Sequence, residues 1–544
     1  MATYQAVAID FDGTLTAGGP PRPDVMAAMA EGRRRGLRLI LVTGRVLSEL
    51  RPELPRYADL FDAVVAENGA VVMAGGRARA LAPRVAPALE QALARRGVPV
   101  RAGQVLLASQ AVHAAAALEE ATRLGLEVEL TMNRGEMMVL PAGVTKASGL
   151  RHALADLALS PHSTVAIGDG ENDHSLMDVC ELGIAVGNAI DALKAHADVV
   201  MHESAGDAVK ALLEGPLLRG ELIIEPRRWQ LELGRTHAGA PVTMPGSGVN
   251  VLISGSSGSG KSYLLGLLVE RLVDHDYSVC LFDPEGDHAS LAGLRDVVAL
   301  GSVAGPPTPE ALGQILEHPD LSAVVDLSSL EEAGKRSWMR RTFVLLSEQR
   351  RRTGLPHWLL IDEAHLVASE PGCGFDPEQS GICLVSYVPE RCGSALREAD
   401  LHLTLGSPAG RARLSRWHGR GPVDFTMAER ARTHVRHWHK YVSAALPRQY
   451  QFVLRAHGAP TGRIAGNVRE LHRELERCDG EVILHHAGNR DFSRWTHEVL
   501  KDDALAEAFG RVEDGVRRGS LATAVARRQL MDAIEHRYLA GAHP

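Results

Sequence analysis

The chain has 544 residues, which suggests about three domains at ~150 residues each. Its 45% apolar and 23% charged content exclude a disordered or fibrous chain, and a net charge of −8 argues against a general polyanion binder. Six cysteines without a CxxC pair suggest neither a zinc ribbon nor a disulfide framework, and no apolar run reaches the ~18 residues of a membrane span. Reduced thiols in a cytoplasmic protein are the expectation. The start of the chain runs straight into a strand pattern, with no charged-then-apolar leader.

"YQAVAIDFDGTLT" opens with an apolar strand, Ala6 to Ile9, followed by Asp10 and Asp12. A carboxylate at a strand's end projects into the crevice where α/β sheets bind ligands. A helix pattern follows over Val25–Gly36. The strand "LRLILVTGR" then ends on Thr43, Gly44 and Arg45, a hydroxyl and an exposed amide turn. Lys146 sits in "GVTKASGL", just before a helix. "STVAIGDGENDHSLM" is another apolar strand, ending in Asp169, Gly170 and Asp173. Phosphoester cleavage needs a nucleophile, an acid for the leaving oxygen and neutralisation of the phosphoryl oxygens. Carboxylates crowded on strand tips repel each other unless a hard cation such as Mg²⁺ sits among them. Lys146 and the Thr43 hydroxyl would offset the remaining phosphate charge.

On these four ordered motifs, residues 1–215 resemble a haloacid-dehalogenase-superfamily phosphatase of the Cof-like and archaeal phosphoglycolate-phosphatase kind. The resemblance implies a Rossmann-like core and a role for each matched residue. Asp10 would form the aspartyl-phosphate and Asp12 would be the general acid/base. Thr43 and Lys146 would hold the phosphoryl group. Asp169 and Asp173 would complete a Mg²⁺ site with Asp10 and the Asp12 carbonyl. Asn172, and Asn68 in "AENGA", match positions that line the substrate pocket. Residues from about 80 to 142 exceed what the core needs. Two helical patterns and the strands "QVLLA", "EVELTM" and "EMMVL" read as an inserted α+β cap. Such a cap closes over substrate. Arg134 within it is read as a solvated surface arginine ahead of a contact to an anionic substrate.

Residues 216–247 read as a linker and leading strands. "GSSGSGKS", Gly255 to Ser262, matches the phosphate-cradling G-x-x-x-x-G-K-[ST] loop in full, between an apolar strand and a leucine-rich helix. Gly255, Gly258 and Gly260 let backbone amides converge on ATP phosphates. Lys261 would reach the β- and γ-phosphates, and Ser262 would ligate Mg²⁺. "HWLLIDEAH" ends a strand on Asp362 and Glu363; the aspartate suits the Mg²⁺ shell and the glutamate suits activation of water, as an ATPase needs. A helix is expected over 331–352, capped by Gly354. With "YSVCLFDPEGDHASL" and the ~100-residue gap between the Walker motifs, residues 248–410 resemble a HerA/FtsK-type ATPase, a class that includes DNA translocases. Where that class often places a Gln sensor, this chain has Ser386 and Tyr387, which puts coupling of hydrolysis to movement in doubt. Arg340 and Arg391 read as structural or surface arginines ahead of fingers towards a neighbouring subunit.

Residues 411–544 read as a mainly helical accessory module. His434, His437 and His439 are read as a polar helix face rather than a metal site. The leading expectation is a Mg²⁺-dependent phosphatase of small phosphorylated metabolites, fused to an ATPase with a homo-oligomer open through the ATPase domain. The alternatives are a nucleic-acid end-processing kinase–phosphatase or DNA translocase, disfavoured by Glu363 and the charge, and a nucleotide-gated regulatory assembly.

Overall fold

The structure, a computed structural model, describes residues 4–539 except 56, 223, 257, 302–304, 369–372, 374, 376–378, 393–397, 407–409, 417–420, 432–445, 447–450 and 501. The three histidines at 434, 437 and 439 lie outside the described residues.

The first half is built on an eight-stranded sheet. Six parallel strands run in the order Val199–Val200, Leu182–Ala185, Thr164–Gly168, Ala6–Asp10, Arg38–Val42 and Ala63–Ala66. Two antiparallel strands, Val71–Ala74 and Arg77–Ala80, extend one edge. Helices cover both faces of a parallel sheet, so its strands read as unbroken apolar runs rather than alternating ones. All five residues of Ala6–Asp10 are buried.

The cap is a four-stranded antiparallel sheet, Arg101–Ala102, Leu107–Gln110, Glu136–Pro141 and Val128–Asn133, under the helices Pro87–Arg95 and Ala114–Arg123. Its period-2 pattern divides two interiors. Leu107, Met137 and Val139 pack in the cap's own core. Leu106, Ala108, Met138 and Leu140 pack with the core of the eight-stranded sheet. Glu67, buried at positive φ (53°), accepts the amides of Gln104 (2.8 Å), Val105 (2.9 Å) and Leu106 (3.1 Å), tying the cap's entry to the core.

The second half is built on an eleven-stranded sheet. Its parallel part places Val251–Gly255 between Leu401–Leu405 and Ile382–Ser386, followed outward by Trp358–Ile361, Val279–Asp283, Ser322–Asp326 and Val297–Gly301. The helix Glu332–Thr353 packs Met339, Phe343 and Leu346 into the core and ends at Gly354.

One reading of the sequence is corrected here: the sheet does not stop at 410, because Arg411–Arg416 and Val423–Met427 continue it antiparallel. The leading strands expected within 216–247 join the same sheet, Gln230–Arg235 pairing with Val423–Met427 and with Pro241–Pro245. These strands cover the open edge of the parallel core, which would otherwise expose unpaired amides. Ala412, Leu414 and Phe425 supply the buried side, and the intervening arginines hide that alternation from a helical reading. After a hairpin, Phe452–Ala456 with Ala459–Ala465, the described residues are mainly helical, around a separate core that includes Leu471, Phe492 and Phe509.

The two halves meet through buried polar groups. Glu181 accepts from Tyr277 Oη (2.8 Å) and Ser247 Oγ, and bonds His162 Nδ1 (2.7 Å). His162 Nε2 bonds the His275 carbonyl (2.7 Å), and its ring stacks on Tyr277 at 3.7 Å. His162 and Glu181 precede Thr164–Gly168 and Leu182–Ala185, while Tyr277 and His357 precede Val279–Asp283 and Trp358–Ile361. The junction therefore lies at the N-terminal ends of strands in both sheets. The motif residues lie at the C-terminal ends, so a strand of roughly 15 Å, at ~3.3 Å per residue, lies between each cluster and the junction.

Candidate functional site

The strand Ala6–Asp10 delivers Asp10 to the sheet's C-terminal edge, and Thr164–Gly168 delivers Asp169 beside it. Thr145 and Ser148 form a reciprocal capping box that starts the helix at Lys146, whose side chain reaches Asp10. Lys146 is wholly buried, and Nζ donates to Asp10 Oδ1 and Asp173 Oδ1, each at 2.6 Å. Asp173 Oδ2 accepts the amides of Asp169 and Gly170, both at 2.9 Å. Thr14 Oγ1 donates to Asp169 Oδ1 at 3.0 Å. Gly13 has φ 82°, and a Cβ there would stand 2.2 Å from Asp169 Oδ2, so the loop closes on the carboxylate only with glycine.

Burial, then the neighbouring Asp173, pushes Asp10 well above the usual carboxylate range, against the pull of Lys146. Burial and Asp173 likewise raise Asp169, with Arg134 opposing. Burial by itself would lower Lys146, but Asp10 and Asp173 hold it above its ordinary value. Asp10, Asp169 and Asp173 present carboxylate oxygens within 4.8 Å of one another. Asn172 Oδ1 is buried and accepts no hydrogen bond from the described residues, and Asp169 Oδ2, buried as well, meets the Arg134 guanidinium as an ion pair without an aligned hydrogen bond. This all-oxygen set with spare acceptors fits a hard divalent cation such as Mg²⁺.

Around this cluster, Thr43 is buried, and its Oγ1 accepts the Arg45 amide at 3.1 Å. Gly44 lies under the cap's Met138, whose sulfur would be 3.0 Å from a Cβ there. Asn68 Oδ1 accepts Asn172 Nδ2 at 3.0 Å. Asp12 turns its carboxylate away from the buried trio. Arg45 grips it through Nε (2.8 Å) and Nη2 (2.5 Å), and reaches Glu53 at 2.8 Å. A cavity of about 610 Å³ opens from Asp10 and Asp12 to the cap, lined in part by Arg45, Arg101, Arg134 and Met138. Arg134 is exposed, as the surface reading has it, and its guanidinium also pairs with Asp169 across the cap–core gap. Sequence reasoning also missed Arg45 as the partner of Asp12 and Glu67 as the cap's anchor. The arginine of "TGR" was the available signal for the first; Glu67 gives none.

In the second half, Val251–Gly255 leads through the glycine loop to the helix Lys261–Asp274. Gly260 turns the chain at φ 101°. Lys261 Nζ donates to the carbonyls of Gly255 and Ser256, both at 3.0 Å. Ser262 follows on the helix's first turn, and Gly258 lies in the loop at φ 81°. Asp362 is buried; it accepts the Glu363 amide (2.9 Å) and bonds His288 Nε2 (3.1 Å). His288 is fixed in turn by Asp283, which accepts the amides of Gly286, Asp287 and His288 at 2.8–3.0 Å. Burial would lower His288, but Asp283 and Asp362 raise it. The sequence reading passed over His288, though "DPEGDH" contains it. Glu363 takes a left-handed backbone (φ 47°), with Oε2 3.2 Å from His365 Nδ1. Tyr387 packs edge-on against His365 at 4.7 Å and is 48% exposed. Arg340 and Arg391 are exposed.

Comparison with known proteins agrees with this division. Residues 7–83 and 111–213 match the haloacid dehalogenase-like hydrolases, and residues 249–332 match the central domain of helicase HerA. A phosphoglycolate phosphatase of Halorubrum lacusprofundi is 31% identical over 220 residues, covering 38% of this chain and 95% of that protein. One from Sulfurisphaera tokodaii is 26% identical over 165 residues, covering 29% of this chain and 70% of the relative. One from Archaeoglobus fulgidus is 28% identical over 226 residues, covering 39% and 97%. The chain belongs to the haloacid dehalogenase-like hydrolases through its first half. It carries a HerA-type domain after it.

Proposed function

We propose that the first half is a Mg²⁺-dependent phosphomonoester hydrolase for a small phosphorylated metabolite, working through an aspartyl-phosphate on Asp10. The observation that carries this reading is Asp10 at a strand tip, bonded to buried Lys146 within a carboxylate trio. An Asp10 oxygen attacks phosphorus, and the bond from phosphorus to the leaving oxygen breaks. Lys146 and the Thr43 hydroxyl hold the phosphoryl oxygens, while Asp12, oriented by Arg45, donates a proton to the leaving group. Asp12 then takes a proton from the water that attacks the aspartyl-phosphate, which frees Asp10 and phosphate. Mg²⁺, held by Asp10, Asp169 and the Asp12 carbonyl with support from Asp173, would supply charge neutralisation to the phosphoryl oxygens. The cap packed over Gly44 limits water and substrate size. The relatives' activity on phosphoglycolate makes small anionic esters the first substrates to try.

In the same reading, the second half binds and hydrolyses ATP. Lys261 leaves its carbonyls for the phosphates, Ser262 and Asp362 serve the cation's side, and Glu363 activates water. The match to the HerA central domain favours one further reading, a DNA-linked motor. A panel of phosphorylated metabolites, run with wild type and Asp10→Asn, tests the first half. ATP turnover with and without DNA, run with wild type and Lys261→Ala, tests the second. No turnover of any phosphoester or of ATP would defeat the proposal, and DNA stimulation of ATPase would establish the motor reading.

A further inference from the structure

Three arginines line the phosphatase cavity, and they differ in what holds them. Arg45 has Asp12 and Glu53. Arg101 has Glu49 (3.3 Å) and Glu136. Neither pair of carboxylates belongs to the candidate cation cluster. Arg134 pairs instead with Asp169 Oδ2, inside that cluster, and donates to the Asn188 carbonyl at 3.0 Å. Its backbone is pinned independently. Arg134 occupies the hairpin turn between Val128–Asn133 and Glu136–Pro141 at φ 45°, and its amide donates to Glu171 Oε2 at 3.2 Å. The stem is therefore fixed, while the guanidinium, 42% exposed, borders the cavity.

A guanidinium and a divalent cation close to one carboxylate oxygen repel each other and compete for its lone pairs, so each weakens the other's hold there. We propose that Arg134 is a specificity residue released by metal loading. A cation at Asp169 displaces the guanidinium, which then faces the end of the substrate away from the phosphoryl group and pairs with a carboxylate there. The planar fork of arginine suits that partner in two parallel hydrogen bonds. Small phosphomonoesters bearing a carboxylate are thereby preferred over neutral ones of the same length. This inference rests on the phosphatase reading above.

The test compares 2-phosphoglycolate with 2-hydroxyethyl phosphate, which has the same length but no carboxylate, on the full chain with Mg²⁺. Arg134→Ala should lower kcat/KM for phosphoglycolate by roughly 30-fold, the scale of a lost charged hydrogen-bond pair, and carry the loss in KM. Arg134→Lys should recover part of it, and at saturating Mg²⁺ the effect of Arg134→Ala on 2-hydroxyethyl phosphate should be at least about tenfold smaller than on phosphoglycolate. Calorimetry with Mn²⁺ alone should show Arg134→Ala binding the metal several-fold more tightly. Equal losses on both esters would assign Arg134 to cap packing and overturn the specificity role, as would no loss on phosphoglycolate. Unchanged Mn²⁺ affinity would overturn the competition at Asp169. If wild type turns over neither ester and Asp10→Asn behaves identically, the phosphatase reading itself has failed, and this inference with it.

Discussion

Lys146 at the phosphatase cluster is shared by two carboxylates, Asp10 and Asp173, and is sealed from solvent. Lys261 in the glycine loop instead rests on two backbone carbonyls. The first site neutralises side chain with side chain, so its charges are arranged before a phosphate arrives. The second depends on backbone amides and a lysine that changes partners when phosphates enter. Preorganisation of the first kind makes chemistry sensitive to any single member of the trio. Reliance on backbone makes the second sensitive at the loop glycines, whose positive φ admits no side chain without strain, as well as at the lysine, Ser262 and the two acids.

The largest effects should break the comparison cleanly. Asp10→Asn is expected to lower phosphatase turnover by about 10³-fold or more and leave ATP hydrolysis unchanged; Lys261→Ala should do the reverse, both read by phosphate release. Independence is the expectation because each cluster lies at the C-terminal end of its own sheet, away from the buried junction at the N-terminal ends. That arrangement also disfavours a kinase and phosphatase serving one bound end. Glu363→Gln should come next, cutting ATP turnover about 100-fold with nucleotide affinity retained in a fluorescent-ATP titration. A parallel loss of affinity would show that Glu363 serves binding rather than water activation.

Stability changes should be smaller and shared. Glu181→Ala leaves His162, Tyr277 and Ser247 without their common buried acceptor, at a cost of about 2–4 kcal/mol in denaturant unfolding. Both halves should lose stability together if the junction holds them as one unit. Asp502 provides a contrast outside both sites. It accepts from Arg537 (2.9 and 3.0 Å), Tyr538 Oη (2.7 Å) and the Leu505 amide (3.1 Å). Burial pushes its pKa up, but these partners, led by Arg537, hold it below the ordinary value. A depressed folded pKa stabilises above the unfolded value of about 3.9, and that contribution is lost as pH falls through the folded value. Asp502→Asn should therefore cost about 1–2 kcal/mol at pH 7, converge on wild type in strong acid, and leave both activities intact.

Much of the candidate chemistry was legible because it is local. "DFDGT", "GDGEND" and "GSSGSGKS" each join a buried apolar strand to a polar tip, and the strand alone dictates where the tip points. The helix over 332–353 was legible for a similar reason, since its apolar spacing and terminal glycine sit in one continuous stretch. Arg134, Glu67 and His288 were not legible. Their partners, Asp169, the Gln104–Leu106 amides and Asp362, lie 35 or more residues away, and nothing in the spacing pairs them. The strands after 410 were missed because alternating arginines on an exposed sheet face resemble the polar side of a helix.

Sequence by itself determined the two sets of motifs, their order, and the α/β class of both halves, because strand burial and glycine loops are properties of short segments. Only the tertiary structure decided which charges neutralise one another, which arginine crosses from the cap to the carboxylate trio, and that both clusters lie away from the junction. Those depend on long-range packing, where one buried carboxylate such as Glu181 draws donors from segments nearly a hundred residues distant.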